Sequence, residues 1–248
     1  MQAQAIIEAL KRAQQSGISI TTETLDDYGL GGVECEKCGN TGTIIKKSAD
    51  GSLYARECEC MNKRRYLKRL RESGLADIFP RYTFEKYETP DTVRKKAKEK
   101  ALLYCEAEPA WFYVSGRSGS GKSHLCAAIC SRLIEKQEVY YMSWRDESVK
   151  LKAEVMDTEQ YEKHIKKLKT VSCLYIDDFL KGSESDADIR LAFEILNARY
   201  ANTKLRTVIS SEWDIKDVLE RDEALGGRIY ERSRGYLLQA PDDNWRLR

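Results

Sequence analysis

The stretch from Trp111 to Ser123 constrains the fold more than any other part of this sequence. WFYVS at 111–115 runs into GRSGSGKS at 116–123 and then into an apolar helix pattern. A strand before G-x-x-x-x-G-K-S and a helix after it form the context of a phosphate-binding loop. Glycines let successive backbone N–H groups converge, and the helix N-terminus adds its dipole at the same point. A glycine turn without a ligand is the weaker alternative, because both flanks fit.

The loop predicts a site for ATP and Mg²⁺. We expect Lys122 to reach the β- and γ-phosphates and the Ser123 hydroxyl to ligate Mg²⁺. The predicted nucleotide contacts run through the loop into the first turn of the helix: Gly116, Arg117, Ser118, Gly119, Ser120, Gly121, Lys122, Ser123 and His124.

A second stretch supplies the carboxylates that nucleotide hydrolysis requires. The apolar residues of VSCLYIDD at 171–178 predict a buried strand that ends in Asp177 and Asp178. Asp177 is placed to hold Mg²⁺ through water, and Asp178 is placed to orient the attacking water. Because Asp178 is one methylene shorter than the glutamate usual at this position, we expect slow hydrolysis.

The rest of the C-terminal part alternates between helix and strand patterns. Helices are predicted near 91–106, over 145–168 and near 186–201, and strands at 139–143 and 206–211. This alternation predicts a parallel sheet with helices on both faces. Ligands bind at the carboxyl ends of such strands, where Gly116, Asp177 and Ser211 are expected to lie.

Composition limits the classes of function. The chain has 248 residues and a net charge of only +2, so it is not a globally basic nucleic-acid binder. No apolar run reaches membrane-spanning length and no signal peptide opens the sequence, which predicts no membrane partner. Eight cysteines without an export signal predict a reducing cytoplasm and thiol ligands rather than disulfides.

Four of these cysteines have the spacing of a metal site. Cys35 and Cys38 form a C-x2-C knuckle, and Cys58 and Cys60 follow a hairpin-like segment with its turn at Asp50-Gly51. Their polar neighbours favour a closed, structural Zn²⁺ site, with an iron–sulfur cluster or no metal as alternatives. The other four lie in apolar patterns and are expected to be small core residues: Cys105, Cys126, Cys130 and Cys173.

These features divide the chain into two predicted domains. Residues 1–74 are expected to hold a short N-terminal helix near residues 6–10, a linker, the zinc module and a basic helix over 63–76 that reaches the boundary. Residues 75–248 are expected to form the nucleotide-binding domain.

Several runs in order resemble the helicase loaders of the DnaC/DnaI type, especially their phage and prophage forms. They are LADIFP at 75–80, the phosphate-binding loop, YIDDFL at 175–180, TVISSE at 207–212 and GRIYER at 227–232. The IstB transposition ATPases are similar over most of this core. The resemblance implies an AAA+ ATPase that self-associates with ATP at the subunit interfaces.

The resemblance also implies roles for further residues. Ser210 and Ser211 match the sensor region beside the acid strand, although Glu212 stands where asparagine is usual. Arg232 matches the finger that reaches a neighbour's ATP, with Arg228 on the same helix face. Arg246 matches the second sensor arginine.

Three functions remain open from the sequence. The first is loading of a hexameric replicative helicase onto single-stranded DNA, with the zinc module as the docking piece. The second is an IstB-like transposition helper that assembles on DNA, and the third is a zinc-containing adaptor with a structural nucleotide. Aromatic and basic residues around the tip after the second strand are candidate DNA contacts: Tyr140, Tyr141, Trp144, Arg145, Lys150 and Lys152. For Tyr140 and Tyr141 the alternative is that they are core and edge residues of a strand.

Overall fold

The computed structural model describes residues 35–48, 51–76, 81–182 and 185–245. The chain divides into two compact units with their boundary between Lys68 and Arg69. The predicted boundary at residues 74 and 75 stays a prediction. The expected helix near residues 6–10 lies outside the described residues, as does Arg246.

The first unit contains the predicted hairpin. Strands β1 (Thr43–Lys47) and β2 (Leu53–Glu57) pair antiparallel, with Ile45 opposite Ala55. Helix α1 (Cys60–Glu72) begins directly after β2 and continues past the unit boundary. All ten strand residues except Ile44 are exposed, so the hairpin has almost no apolar core of its own.

The second unit alternates helices and strands as the sequence predicts. Its elements are α2 (Thr92–Glu106), β3 (Trp111–Ser115), α3 (Lys122–Leu133), β4 (Val139–Ser143), α4 (Trp144–Glu154), α5 (Thr158–Thr170), β5 (Cys173–Phe179), α6 (Asp186–Ala201), β6 (Arg206–Ser211), α7 (Ile215–Arg221), α8 (Glu223–Ser233) and β7 (Leu237–Gln239). The sequence analysis did not predict α7 or β7.

The five strands of this unit form a parallel sheet in the order β4-β5-β6-β3-β7. Strand β6 therefore lies between the loop strand β3 and the acid strand β5. The carboxyl ends of all three strands lie on one edge of the sheet, which is where an open α/β sheet binds ligands.

Side chains alternate between the two faces of the sheet, and helices cover both. On one face Tyr113, Ile176 and Ile209 join a core that includes residues of α4, α5, α6 and α8. On the other face Phe112 packs against Tyr104 of α2, and the Tyr175 hydroxyl contacts the Ser123 carbonyl of α3. The predicted fold class, a parallel sheet with helices on both faces, is confirmed.

The four cysteines of apolar patterns are buried, as expected for small core residues. Cys105, Cys126, Cys130 and Cys173 are each at most 4% exposed.

Candidate functional site

The phosphate-binding loop connects β3 to α3 through glycines in left-handed backbone conformations. Gly119 and Gly121 have φ values of +80° and +93°, and Gly121 is the residue before the first turn of α3. Gly116 has a φ of +145°, and a Cβ there would lie 3.0 Å from the Ala240 Cβ. Residues with side chains rarely adopt this backbone, so these glycines are what lets the loop close around an anion.

Lys122 lies inside this loop. Its side chain is 5% exposed, and Nζ donates to the carbonyl oxygens of Gly116 at 2.7 Å and Arg117 at 2.8 Å. Burial lowers the pKa of Lys122, and the Glu212 and Asp178 carboxylates act in the opposite direction. The ammonium is thus held where converging N–H groups would place a phosphate.

The Asp177 carboxylate contacts hydroxyl groups from four elements, α3, β4, β5 and β6. Oδ1 accepts from Ser123 Oγ at 2.9 Å, from Tyr175 Oη at 2.8 Å and from Ser210 Oγ. Tyr141 Oη contacts Oδ2 at 3.4 Å. The two residues predicted to share Mg²⁺ are therefore in direct contact, and this set of hydroxyl and carboxylate oxygens is of the kind that Mg²⁺ prefers.

Asp178 lies in the irregular last part of β5. The pairing of β5 with β6 shifts between Ile176 and Phe179, and Asp178 has a φ of +51°. Its backbone N–H donates to Ser210 Oγ at 3.1 Å, while Lys181 Nζ lies 3.3 Å from Oδ2. Asp178 is thus held through its backbone by the neighbouring strand and through its carboxylate by Lys181.

Ser210 and Ser211 of the expected sensor region face opposite ways. Ser210 Oγ contacts both acids, whereas Ser211 Oγ donates to the Phe179 carbonyl at 2.9 Å. The Ser211 carbonyl accepts from Gly116 N–H at 3.1 Å, so this residue joins β6 to the loop through its backbone. Because side chains alternate along β6, the Ser210 hydroxyl lies on the same face of the sheet as Asp177 and the Ser211 hydroxyl does not.

The remaining loop residues have separate surroundings. Arg117 Nε pairs with Asp242 at 2.8 Å on the surface, and Ser120 is fully buried. The His124 ring contacts the Thr83 carbonyl at 2.9 Å and lies between Tyr82 and Tyr87, at centroid distances of 5.0 and 5.2 Å. The expected contact of His124 with the nucleotide stays a prediction.

A segment after β7 also reaches the loop, which the sequence analysis missed. Ala240 N–H donates to the Ser115 carbonyl at 2.7 Å, and Trp245 N–H donates to the Gly119 carbonyl at 2.9 Å. A Cβ on Gly119 would lie 2.0 Å from Asn244 Oδ1. These contacts carry no pattern that a single sequence would reveal.

Arg228 and Arg232 lie on one face of α8, as their spacing predicts. Arg228 lies over the Phe193 ring at 4.8 Å, and its Nε donates to Asn197 Oδ1 at 2.9 Å. Arg232 Nη2 donates to the Thr203 carbonyl at 3.1 Å. Both contacts tie α8 to α6 and to the turn after it.

The four thiols of Cys35, Cys38, Cys58 and Cys60 all lie within 4.8 Å of one another. Gly42 N–H donates to Cys38 Sγ at 3.3 Å, and the Cys58 N–H donates to the Gly42 carbonyl at 2.8 Å. Burial raises the pKa of the Cys38 thiol. Hydrogen bonds from the Gly42 N–H and the neighbouring thiols lower the pKa by more than burial raises it, so the net pKa is about 7. Four converging thiols with such support fit a tetrahedral Zn²⁺.

The candidate DNA contacts do not form one exposed surface. Trp144 is fully buried against Phe179 at 5.1 Å, so its expected role in DNA binding is wrong: it is a core residue. Lys167 covers the Tyr140 ring at 4.1 Å, and Lys152 pairs with Asp188 at 2.7 Å. Only Arg145 and Lys150 of the six candidates are exposed without such a contact to an aromatic ring or a carboxylate in the described part of the chain.

Comparison with known proteins identifies a matching family and several relatives. The family model of IstB-like ATP binding proteins matches residues 40–233. Protein YqaM of Bacillus subtilis (strain 168), itself uncharacterized, is 30% identical over 226 residues, which cover 84% of this chain and 71% of that protein. The phage-like element PBSX protein XkdC of the same organism is 27% identical over 224 residues, or 83% and 81%.

A replication protein is also among the relatives. The replicative helicase loader DnaC of Escherichia coli (strain K12) is 26% identical over 184 residues, which cover 72% of each chain. The crystal structure of the DnaC helicase loader superposes with a TM-score of 0.59 at 23% identity, covering 64% of this chain and 97% of that one. The structural likeness supports the AAA+ type of fold. None of the described helices is long and apolar enough to cross a membrane.

Proposed function

This chain belongs to the family of IstB-like ATP-binding proteins. We propose that it hydrolyses ATP to load a hexameric replicative helicase onto single-stranded DNA. The observation that carries the proposal is the meeting of Lys122, Ser123, Asp177 and Asp178 at the carboxyl edge of one sheet. An ATP-binding protein without hydrolysis has no need of the second carboxylate.

Each group has a task in hydrolysis. Lys122 and the loop N–H groups would bind the phosphates, and Ser123 and Asp177 would hold a Mg²⁺ that supplies positive charge beside the phosphate oxygens. Asp178 orients the attacking water, and the Ser210 contact at 3.1 Å restrains its backbone. The short Asp178 side chain supports a slow reaction, as expected from the sequence.

The proposal that the partners are a helicase and DNA is supported by the relatives of this chain and not by the geometry of the site. DnaC of Escherichia coli is named a replicative helicase loader, and XkdC belongs to a phage-like element. A compact cysteine module ahead of the nucleotide-binding unit offers a separate piece for docking a protein. We therefore assign helicase docking to the first unit, with a structural Zn²⁺, and ATP chemistry to the second, in a cytoplasmic replication protein of phage or prophage type.

Transposition is the second candidate function. Its support is the description of the matching family, IstB-like ATP-binding proteins. In that case the chain would assemble on DNA and assist a transposase. An adaptor with a structural nucleotide is disfavoured, because such a protein needs neither Asp178 beside the Mg²⁺ site nor a finger arginine.

A loading assay separates these functions. The chain is mixed with a hexameric replicative helicase and circular single-stranded DNA, and the helicase bound to DNA is measured with and without ATP. We expect ATP-dependent transfer that the Lys122→Ala variant does not support. No complex with the helicase, together with binding of a transposase, would instead favour the transposition function.

A further inference from the structure

The turn after β5 places a lysine over the proposed catalytic carboxylate. Asp178 and Leu180 have φ values of +51° and +60°, a conformation that costs about 1 kcal/mol for residues with side chains. The turn closes where the Lys181 N–H donates to the Asp178 carbonyl at 3.0 Å. Such strain persists only where surrounding contacts hold it, and it concentrates at functional sites.

The Lys181 ammonium bridges two carboxylates. Nζ lies 3.3 Å from Asp178 Oδ2 and 2.8 Å from Glu212 Oε1. Glu212 directly follows β6, whose last carbonyl accepts the N–H of Gly116. Lys181 therefore joins the ends of β5 and β6 beside the first residue of the phosphate-binding loop.

Glu212 also acts on the loop electrostatically. Its carboxylate raises the pKa of Lys122 more than Asp178 does, against the lowering caused by burial. Two carboxylates thus lie near the phosphate site, and neither is assigned a direct contact with the nucleotide. Lys181 is the cation that contacts both of them.

We propose that Lys181 is a positioning residue for ATP hydrolysis: anchored by Glu212, its ammonium fixes the Asp178 carboxylate beside the phosphate-binding loop. The inference rests on the proposed function. Ser210 holds the backbone of Asp178 and Lys181 holds Oδ2, which leaves Oδ1 to face the attacking water. A short carboxylate gains most from such support, because a displacement of about 1 Å can cost about a hundredfold in rate.

Steady-state kinetics of four variants tests this role. We expect Lys181→Ala to lower kcat about tenfold with KM changed less than about twofold, because Lys181 orients Asp178 without binding the nucleotide. Lys181→Arg should retain more of the rate than Lys181→Ala, since a guanidinium can also span two carboxylates. Glu212→Gln should lower kcat about threefold by removing the anchor charge. Lys216→Ala, at an exposed lysine of α7, is the matched control and should match the wild type.

The outcomes discriminate among the roles. Wild-type kcat in Lys181→Ala contradicts the inference, and so does a raised KM at constant kcat, which would assign Lys181 to direct phosphate binding. Thermal melting of each variant verifies folding, and Glu212→Gln tests the same bridge without shortening a side chain. If Asp178→Ala loses turnover but Lys181→Ala keeps it, the inference about Lys181 fails and the proposed function stands. A wild-type chain without turnover contradicts both.

Discussion

At the residue scale, the site combines one buried cation with hydroxyl and carboxylate groups. Lys122 is held by two loop carbonyls, so its ammonium is already positioned where phosphate oxygens would be its partners. Asp177 is surrounded by hydroxyl donors, and Asp178 lies at the start of a strained turn. We therefore expect ground-state binding and hydrolysis to depend on different residues.

Lys122→Ala and Asp178→Ala should separate binding from hydrolysis. The first should weaken ATP binding about a hundredfold, because it removes a charged donor from the phosphates. The second should keep binding but lower kcat about a hundredfold or more, because Asp178 acts on the attacking water. Titration calorimetry and phosphate release measure the two effects. Unchanged turnover in Asp178→Ala would exclude the assigned role.

Arg199 is a buried residue that supports the sheet from α6. It is fully buried and donates to Thr207 Oγ1 and to the carbonyls of Leu168, Val171 and Arg206. Arg199→Met should lower the free energy of unfolding by about 3 kcal/mol, because three carbonyls lose their donor. Urea denaturation measures this, with the exposed Arg190→Met on the same helix as control. Equal midpoints for the two variants would contradict the prediction.

At the element scale, the hairpin and the knuckle meet at the four cysteines. Strands β1 and β2 are almost wholly exposed, and an isolated two-stranded hairpin is marginally stable in water. Cys35 Sγ and Cys58 Sγ are 3.7 Å apart, and Cys38 Sγ and Cys60 Sγ are 3.6 Å apart, so the ends of the hairpin converge on the thiols. A metal there would supply the stability that the hairpin lacks.

Purified protein should carry about one zinc per chain by elemental analysis. Cys38→Ser should lose the zinc and become sensitive to protease within the first unit, while nucleotide binding persists. Cys105→Ala, at a buried cysteine of the second unit, should keep the zinc. Protein prepared without chelator that contains no metal would refute the zinc assignment, and iron in its place would favour the cluster alternative.

At the scale of the whole molecule, Arg232 is the residue that we expect to act on a neighbouring chain in the proposed assembly. It lies in the last turn of α8 and its Nη2 contacts the Thr203 carbonyl, not the chain's own phosphate-binding loop. An arginine that serves a neighbour's ATP must lie away from its own loop, and guanidinium suits the charge of a transferring phosphoryl group.

Mixing Arg232→Ala with Lys122→Ala chains should restore part of the ATPase activity. Each variant is expected to be inactive alone, but mixed assemblies contain interfaces with an intact loop and an intact arginine. Activity is measured over a series of mixing ratios, and wild-type turnover per chain should rise with protein concentration. Arg234→Ala, at an exposed arginine just after α8, is the control and should remain active alone. Absence of recovery at every ratio, with no concentration dependence, would indicate a monomeric ATPase.

The sequence by itself determined the class of fold and predicted where the nucleotide site lies. Glycine spacing, apolar strand patterns and C-x2-C spacing are local signals, because each reflects backbone geometry within a few residues. They predicted the hairpin, strands β4 and β6 to the residue, and the convergence of four thiols. The functional roles of these residues remain predictions that the variants above address.

Tertiary structure alone decided which side chains meet around the acids. The insertion of β6 between β3 and β5 brings Ser210 to Asp177, and the turn after β5 brings Lys181 to Glu212. The short strand β7 and the contacts of Ala240 and Trp245 with the loop likewise join residues far apart in sequence. Such contacts depend on strand order and backbone strain, which arise only when the whole sheet is packed.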